Sequence, residues 1–432
     1  MHSVVLSGPA LLGGTFVPPG DKSISHRAVM FGALSHGKSS YANFLQAEDC
    51  LHTLAAFQAM GVPIRLDRKE NRIEVEGVGL RGLKRPNGPL DLGNSGTSMR
   101  LLLGILAGQA FEATLTGDAS LSSRPMRRVT DPLKKMGAQI KGRDHANFAP
   151  LVIRGGRLQG IEYENKWASA QVKSALLLAG LYADGSTRIA EPALSRDHTE
   201  RFLQAACARF RREGQTLILE KTETLKPILF AEIPGDISAA AFFITAAAMI
   251  PGAQMTVEKV GLNPTRTGFL EVLTRMGALI ETRLLQQEPE PSGTLHVKGA
   301  RLRGTRIWRE EIPSLIDELP ALMTAMALAE GESLVSGAQE LRVKETDRIH
   351  SMVTNLNAVG GRVEELPDGC LIRGVERFHG GKIQSFGDHR TAMSLAVATL
   401  AMQGEITIED TDCVATSFPS FFEDFERFKK CK

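Results

Sequence analysis

The sequence has few residues that stack and no stretch long enough to cross a membrane. Two tryptophans and three tyrosines among 432 residues leave too few aromatic faces for a single-stranded nucleic-acid platform. No segment reaches the ~18 uninterrupted apolar residues of a spanning helix, and residues 1–15 lack a basic stretch leading into an apolar core. Neither membrane insertion nor secretion is expected. The five cysteines, Cys50, Cys207, Cys370, Cys413 and Cys431, are scattered without a CxxC pair, which gives no support for a disulfide framework or a thiolate zinc site and suits a reducing cytoplasm. No block of like charge suggests a nucleic-acid arm. Lys and Arg number 51 against 49 Asp and Glu, a formal net charge of +2, so any cationic function must come from local clustering. His26, His198 and His389 each stand alone, and neither a metal nor a cofactor is expected.

What is present is an ordinary globular composition, 43% hydrophobic and 23% charged, in a chain long enough that two domains are the default. Two phrases repeat across it. Pro19-Gly20-Asp21-Lys22-Ser23 has a counterpart half a chain away at Pro234-Gly235-Asp236-Ile237-Ser238. Leu/Phe-x-x-Met-Gly-x-x-Ile occurs at Phe57–Ile64, Leu133–Ile140 and Leu273–Ile280, with a looser copy at Leu356–Val363. Each copy reads as a helix closed by a C′ glycine and then a strand, and Met60 and Met276 keep the spacing of the first phrase to within one residue. Both phrases therefore report one duplication.

A finer period lies inside each half. Polar phrases around Asp21, Ser95, Ser169, Asp236, Asp317 and Asp388 open six apolar helix-like segments, so each half divides into three units of roughly seventy residues. Ala239–Met249, Leu322–Leu328 and Ala392–Met402 are apolar all round, which predicts burial on every side. Strands are expected at Arg72–Val75, Ala113–Thr116, Leu151–Ile153, Thr216–Leu219, Met255–Val257, Leu295–Val297 and Glu405–Ile408, and a surface loop over Arg283–Gly293. The fold class is α/β (α+β). The repeated Pro-Gly-Asp phrases mark the joint, which predicts a discontinuous domain of 1–19 with 235–432 and a second of 20–234, crossing near 17–20 and 232–235.

Chemistry collects at the helix starts. Asp21 or Ser23 can cap the first helix, with Lys22, Ser23 and Arg27 near its positive end, a ready anion site. Asn94, Gly96, Thr97 and Arg100 follow in the second unit, then Arg124, Arg127 and Arg128 in one loop, and Ser169, Gln171, Lys173, Arg196 and His198 in the third. The second half supplies Asp317 and Glu318, then Lys344, Glu345 and Arg348, and finally Asp388, His389 and Arg390. Cations recurring at helix starts imply several phosphate or carboxylate groups. A P-loop is excluded, because Asp21 separates Gly20 from Lys22 and Pro18 and Pro19 stiffen the loop. A carboxylate in an anion site repels the ligand, so Asp317 and Glu345 point to proton transfer. Two plainer readings stand beside that one: Asp317 as an N-cap ahead of Pro320, and Glu345 as the ion-pair partner of Lys344 or Arg348.

Four phrases together, Gly20-Asp21-Lys22-Ser23-Ile24-Ser25-His26-Arg27, Leu92-Gly93-Asn94-Ser95-Gly96-Thr97, Arg342-Val343-Lys344-Glu345-Thr346-Asp347-Arg348-Ile349 and Gly387-Asp388-His389-Arg390-Thr391-Ala392-Met393-Ser394, closely resemble the 3-phosphoshikimate 1-carboxyvinyltransferase (EPSP synthase) family, nearly end to end and in family order. The resemblance implies two domains of three βαβαββ units each, an inside-out α/β barrel, closing over substrates. It implies transfer of the enolpyruvyl group of phosphoenolpyruvate to the 5-hydroxyl of shikimate 3-phosphate, by addition and then elimination of phosphate, in a cytoplasmic monomer that needs no metal. Carried over by position, Lys22, Ser23, Arg27, Ser169, Gln171, Arg196, Asp317 and Lys344 would contact shikimate 3-phosphate. Lys22, Gly96, Arg124, Gln171, Lys344, Arg348 and Arg390 would form the phosphoenolpyruvate pocket. Asp317 would accept the 5-hydroxyl proton, and Glu345 with Lys22 would handle the proton at the methylene carbon.

Two departures qualify the resemblance. Ala168-Ser169-Ala170-Gln171-Val172-Lys173 and Ala415-Thr416-Ser417-Phe418-Pro419 are similar to the glyphosate-tolerant branch, and a common family lysine before the last Phe-Pro is replaced by Thr416-Ser417. Position 96, however, is Gly, which keeps room for glyphosate as an inhibitor. The nearest alternative, UDP-N-acetylglucosamine 1-carboxyvinyltransferase, calls for Lys-Asn after the first strand and a reactive Cys in the loop 119–128. Here Ser23 follows Lys22 and that loop has no Cys. An RNA-end-binding protein of related architecture is disfavoured by the balanced charge and scarce aromatics.

Overall fold

The structure, a computed structural model, describes residues 2–228 and 232–431. The chain forms two compact units, Met1–Pro19 with Pro234–Lys432 (the flanking unit) and Gly20–Ile233 (the inserted unit). Each has its own continuous apolar core.

One pattern recurs. In the inserted unit, strand Leu90–Asp91 runs parallel to Glu112–Thr116, which pairs antiparallel with Phe148–Arg154, which in turn pairs antiparallel with Gln139–Gly142. Helices Gly96–Ala107 and Arg127–Lys135 connect these strands, so the chain order is βαβαββ. The same parallel pair followed by an antiparallel hairpin is built by Glu162–Glu164, Ser186–Ala190, Phe210–Glu213 and Thr216–Glu220. In the flanking unit it is built by Arg306–Ile307, Glu332–Val335, Arg362–Leu366 and Gly369–Arg373. Three sheets fall in each unit, six in all among the described residues.

The N-terminal strands join the flanking unit through specific pairings. Ser3–Gly8 lies antiparallel to Met402–Glu409, and Ala10–Phe16 parallel to Gln254–Gly261. Phe16 is fully buried and sits 4.4 Å, centroid to centroid, from Phe243 and 5.6 Å edge-on to Phe428. Truncating such a ring to Ala costs about 3–5 kcal/mol. Within the flanking unit Asp236 N donates to Pro19 O at 2.7 Å, and within the inserted unit Ile233 N donates to Ala42 O at 3.0 Å.

The six cap phrases open helices Lys22–Leu34, Gly96–Ala107, Ala170–Gly180, Ile237–Met249, Leu319–Ala327 and His389–Ala398. Every residue of the last three is buried, as expected of helices without a polar face. The Gly96–Ala107 and Ala170–Gly180 helices pack so closely that a Cβ on Gly104 would lie 2.1 Å from Ala175 O. The repeated Met-Gly phrase ends its helices as read from sequence: Gly61, Gly137, Gly277 and Gly360 all have positive φ, where a Cβ is strained.

All seven expected strands are present, each longer than read. Two expectations need correcting. Arg283–Gly293 is a loop only in its middle, 287–291: strand Leu279–Gln286 runs into it, Ser292–Lys298 resumes at its end, and Glu290 is buried, paired with Asn263 Nδ2 at 3.1 Å. The first strand is exposed on both faces, so no apolar alternation marks it. The apolar run Ala392–Met402 leaves the α-helix after Ala398 and passes through a 3₁₀ turn, with Met402 opening a strand. Among the described residues no helix is long and apolar enough to cross a membrane.

Candidate active site

In the inserted unit, three helix starts carry their caps as side-chain acceptors: Asp21 for Ile24 N, Ser95 for Ser98 N and Ser169 for Val172 N. Asp21 is thus the cap of the first helix, and Ser23 sits in its first turn. The functional side chains hang from those starts. Lys22 Nζ meets Asp49 Oδ2 at 3.0 Å, with both side chains mostly buried. Arg27 is held at three points: Nε to Thr199 Oγ1 at 2.8 Å, Nη1 to Ser23 O at 2.9 Å and Nη2 to Ser174 Oγ at 3.0 Å. Gln171 accepts from Arg100 Nη1 at 2.9 Å and donates to Thr97 Oγ1 at 3.1 Å, tying the second and third helix starts together. Gly96 sits against the side chains of Arg100 and Arg124, whose guanidinium nitrogens would stand 2.7 and 3.3 Å from an added Cβ.

The three loop arginines separate. Arg124 is buried and donates to Asn94 Oδ1 and, at 3.2 Å, to Ser120 Oγ. Arg127 pairs with Asp144 at 3.2 Å in an exposed position, and Arg128 lies over the Trp167 ring at 5.0 Å. Arg196 is half-buried in the turn before helix His198–Ala205, next to the buried Ser195. Lys173 does not join the cations at the helix starts. Its side chain has no exposed surface and is enclosed by Glu191 at 2.9 Å and Glu200 at 2.6 Å.

The flanking unit builds its set around Arg348. This buried guanidinium reaches three carboxylates: Nε to Asp388 at 2.7 Å, Nη1 to Asp317 at 3.2 Å and Nη2 to Glu345 at 2.6 Å. Burial pulls the Arg348 pKa downward, and the charges of Asp388, Glu345 and Asp317 more than reverse it. Asp317 also has Lys344 Nζ at 3.8 Å and Arg390 Nη2 at 3.6 Å, while Arg390 Nη1 donates to its carbonyl at 2.9 Å. The capping reading of Asp317 is not what forms: the N-cap of Leu319–Ala327 is Glu318, and its buried carboxylate bonds Ser238 Oγ instead of a helix N–H. Asp388 does cap, accepting from Arg390 N at 2.8 Å. The ion pair of Glu345 with Arg348 is real. Arg342, in the same phrase, faces elsewhere, gripping Asp347, Glu365 and two backbone carbonyls.

Sequence reading did not find Asp49, Ser174 and Thr199, nor Asp388 as the partner of Arg348. These are partners brought in from distant segments, and only Asp49 carried a local signal, as an acid in the first turn of helix Glu48–Ala59. Among the described residues no group of three or more His, Cys, Asp or Glu is placed to hold a metal ion. Two sets result: a cationic, hydroxyl-rich one in the inserted unit, suited to anions, and one in the flanking unit that puts three carboxylates among three cations, suited to moving protons beside an anion.

A family model described as EPSP synthase (3-phosphoshikimate 1-carboxyvinyltransferase) matches residues 6–425. A protein of Alkaliphilus metalliredigens named 3-phosphoshikimate 1-carboxyvinyltransferase is 49% identical over 95% of this chain and 96% of its own. One of the same name from Pelobacter propionicus is 49% identical over 99% of each. A solved EPSP synthase from Acinetobacter baumannii superposes with a TM-score of 0.87 at 45% identity, covering 99% of this chain and 98% of that one. The enolpyruvyl transferase NikO from Streptomyces tendae, at 17% identity and a TM-score of 0.80 over 98% of this chain and 96% of its own, shares the fold.

Proposed function

The chain belongs to the EPSP synthase family, and we infer that it transfers the enolpyruvyl group of phosphoenolpyruvate to the 5-hydroxyl of shikimate 3-phosphate, releasing phosphate. The observation that carries this reading to particular residues is the Arg348 hub, which holds Asp317 and Glu345 on one guanidinium.

In the proposed reaction Asp317 takes the proton of the 5-hydroxyl as that oxygen attacks C2 of phosphoenolpyruvate, while Glu345 with Lys22 delivers a proton to the methylene carbon. The tetrahedral adduct then loses the C3 proton and phosphate to give the enol ether. Lys344, Arg348 and Arg390 stabilise the carboxylate and phosphate charge through both steps. The close approach of Lys344 and Arg390 to Asp317 supports this, since a substrate anion drawn to those cations is brought to the base. In the inserted unit Lys22, Ser23, Arg27, Ser169, Gln171 and Arg196 take the shikimate phosphate and ring hydroxyls, and Gly96 and Arg124 join the phosphoenolpyruvate contacts. One chain supplies both sets, so we propose a monomer. The four free cysteines among the described residues, Cys50, Cys207, Cys370 and Cys413, are dispersed, which favours the cytoplasm.

Membership of the glyphosate-tolerant branch is proposed from sequence alone. In support, Thr416 carries a hydroxyl that donates to Cys413 O at 2.7 Å and lies 3.5 Å from His389 Nδ1, where the common family lysine would bring an ammonium. The missing Cβ at Gly96, beside the movable guanidinium ends of Arg100 and Arg124, supports the reading that glyphosate still enters. Introducing the chain into a bacterium that lacks this transferase tests the function: growth without aromatic amino acids should return with the native chain and not with Asp317→Ala. No growth with a well-expressed native chain contradicts the reading.

A further inference from the structure

Glu191 lies outside every phrase that carries the proposed chemistry, yet it bonds toward two of its residues at once. Its carboxylate is buried at the end of strand Ser186–Ala190. Oε1 accepts from Ser195 Oγ at 2.6 Å and from Asn165 Nδ2 at 3.1 Å, and Oε2 accepts from Lys173 Nζ at 2.9 Å. Each partner reaches one step further. Asn165 brackets Ser169, accepting from its N–H at 3.3 Å and donating to its carbonyl at 3.1 Å. Lys173 Nζ donates to Ser195 O at 3.2 Å, so the residue before Arg196 is held by both its hydroxyl and its carbonyl. Glu200 closes the cluster on Lys173 at 2.6 Å; burial raises its pKa, with Lys173 opposing.

A buried lysine enclosed by two carboxylates is expensive to assemble and weak as a source of stability, since its desolvation offsets most of the ion-pair attraction. What such a cluster can supply is geometry. Here it fixes Ser169, the cap of helix Ala170–Gly180, relative to the Ser195-Arg196 peptide, two points separated in sequence.

We propose that Glu191 is a positioning residue for shikimate 3-phosphate: it locks Ser169 and Arg196 into one preformed receptor for the phosphate of that substrate. This rests on the assignment of Ser169 and Arg196 to shikimate 3-phosphate. Glu191→Gln keeps the shape but leaves a single acceptor oxygen for three donors and turns an N–H toward one of them. That substitution should raise KM for shikimate 3-phosphate roughly tenfold, as expected for losing one buried charged hydrogen bond. KM for phosphoenolpyruvate and kcat should stay within about twofold, because the other contacts are untouched. Ser195→Ala breaks only the arm toward Arg196, leaves the ion cluster intact and should give a smaller rise in the same constant. The double variant should be no worse than Glu191→Gln alone, since that change already breaks the arm Ser195→Ala removes.

Four results separate the possibilities. A selective rise in KM for shikimate 3-phosphate, shared non-additively by the two variants, supports the proposal. An unchanged KM, or a lower active fraction with native constants, overturns it and leaves Glu191 a structural residue. If Glu191→Gln does not fold, an unchanged KM in Ser195→Ala overturns it by itself. If Arg196→Ala and Ser169→Ala leave that KM unaltered, or the native enzyme ignores shikimate 3-phosphate, the functional assignment fails and takes the proposal with it.

Discussion

Arg390 grips Asp317 at both ends, its Nη1 donating to the backbone carbonyl at 2.9 Å and its Nη2 standing 3.6 Å from the carboxylate. A planar fork does this and an ammonium does not. The same arginine would meet phosphoenolpyruvate, so substrate charge and the proposed base share one cation. Arg390→Lys should therefore lower kcat and raise KM for phosphoenolpyruvate together. Steady-state kinetics with the second substrate saturating reads both, and a change in KM alone would confine Arg390 to binding.

Asp317→Ala should reduce kcat by about 10²–10⁴-fold, the usual worth of a positioned general base, with much smaller changes in substrate dissociation constants. Pre-steady-state turnover and direct binding measurements separate the two. The reverse pattern, weak binding with near-native turnover, would make Asp317 a binding residue only.

Removing the hub arginine takes the shared cation from three carboxylates and leaves the buried Asp388 without its guanidinium partner. Arg348→Ala should destabilise the protein by about 3–5 kcal/mol, the cost of leaving buried charge uncompensated. Thermal unfolding reads this as a clear fall in Tm. Arg348→Lys restores charge without the fork and should fall between the two.

Gly96→Ala places a methyl against the movable guanidinium ends of Arg100 and Arg124, not against backbone. Stability should stay within about 0.5 kcal/mol of native, while the glyphosate inhibition constant rises about tenfold, a steric cost near 1.4 kcal/mol. An unchanged constant would mean that glyphosate does not use the space beside Gly96.

His26 gives a pH signature. Burial, then the charges of Lys22 and Arg27, hold its pKa well below 6.5, and its Nδ1 meets Thr53 Oγ1 at 2.7 Å. Below pH 6.5 the unfolded chain takes a proton that the folded chain refuses, so stability should fall with acidification, by up to ~1.4 kcal/mol per pH unit for this group. Glu200, whose pKa is raised, acts in the opposite sense but equally in native protein and His26→Gln. Urea unfolding of both proteins at about pH 7.5 and 5.5 should show a smaller loss for His26→Gln; equal losses would place the titration elsewhere.

Much of this was legible in the chain itself, for identifiable reasons. Helix starts announce themselves because caps are local: Asp21, Ser95, Ser169, Asp236 and Asp388 each bond an N–H two or three residues on. The fifth start misled, because Asp317 and Glu318 are both acidic and only the fold decides which one turns toward Arg348. The duplication was legible because it repeats residue types at fixed spacing. Contacts such as Arg27 with Thr199 or Lys173 with Glu191 were not legible, since they depend on the register of elements far apart in sequence, which no local pattern encodes.

The central claim is tested most directly by phosphate release from phosphoenolpyruvate with each of two acceptors, shikimate 3-phosphate and UDP-N-acetylglucosamine. Release that requires shikimate 3-phosphate and is absent with the sugar nucleotide is the expected result. Release with UDP-N-acetylglucosamine alone would contradict it.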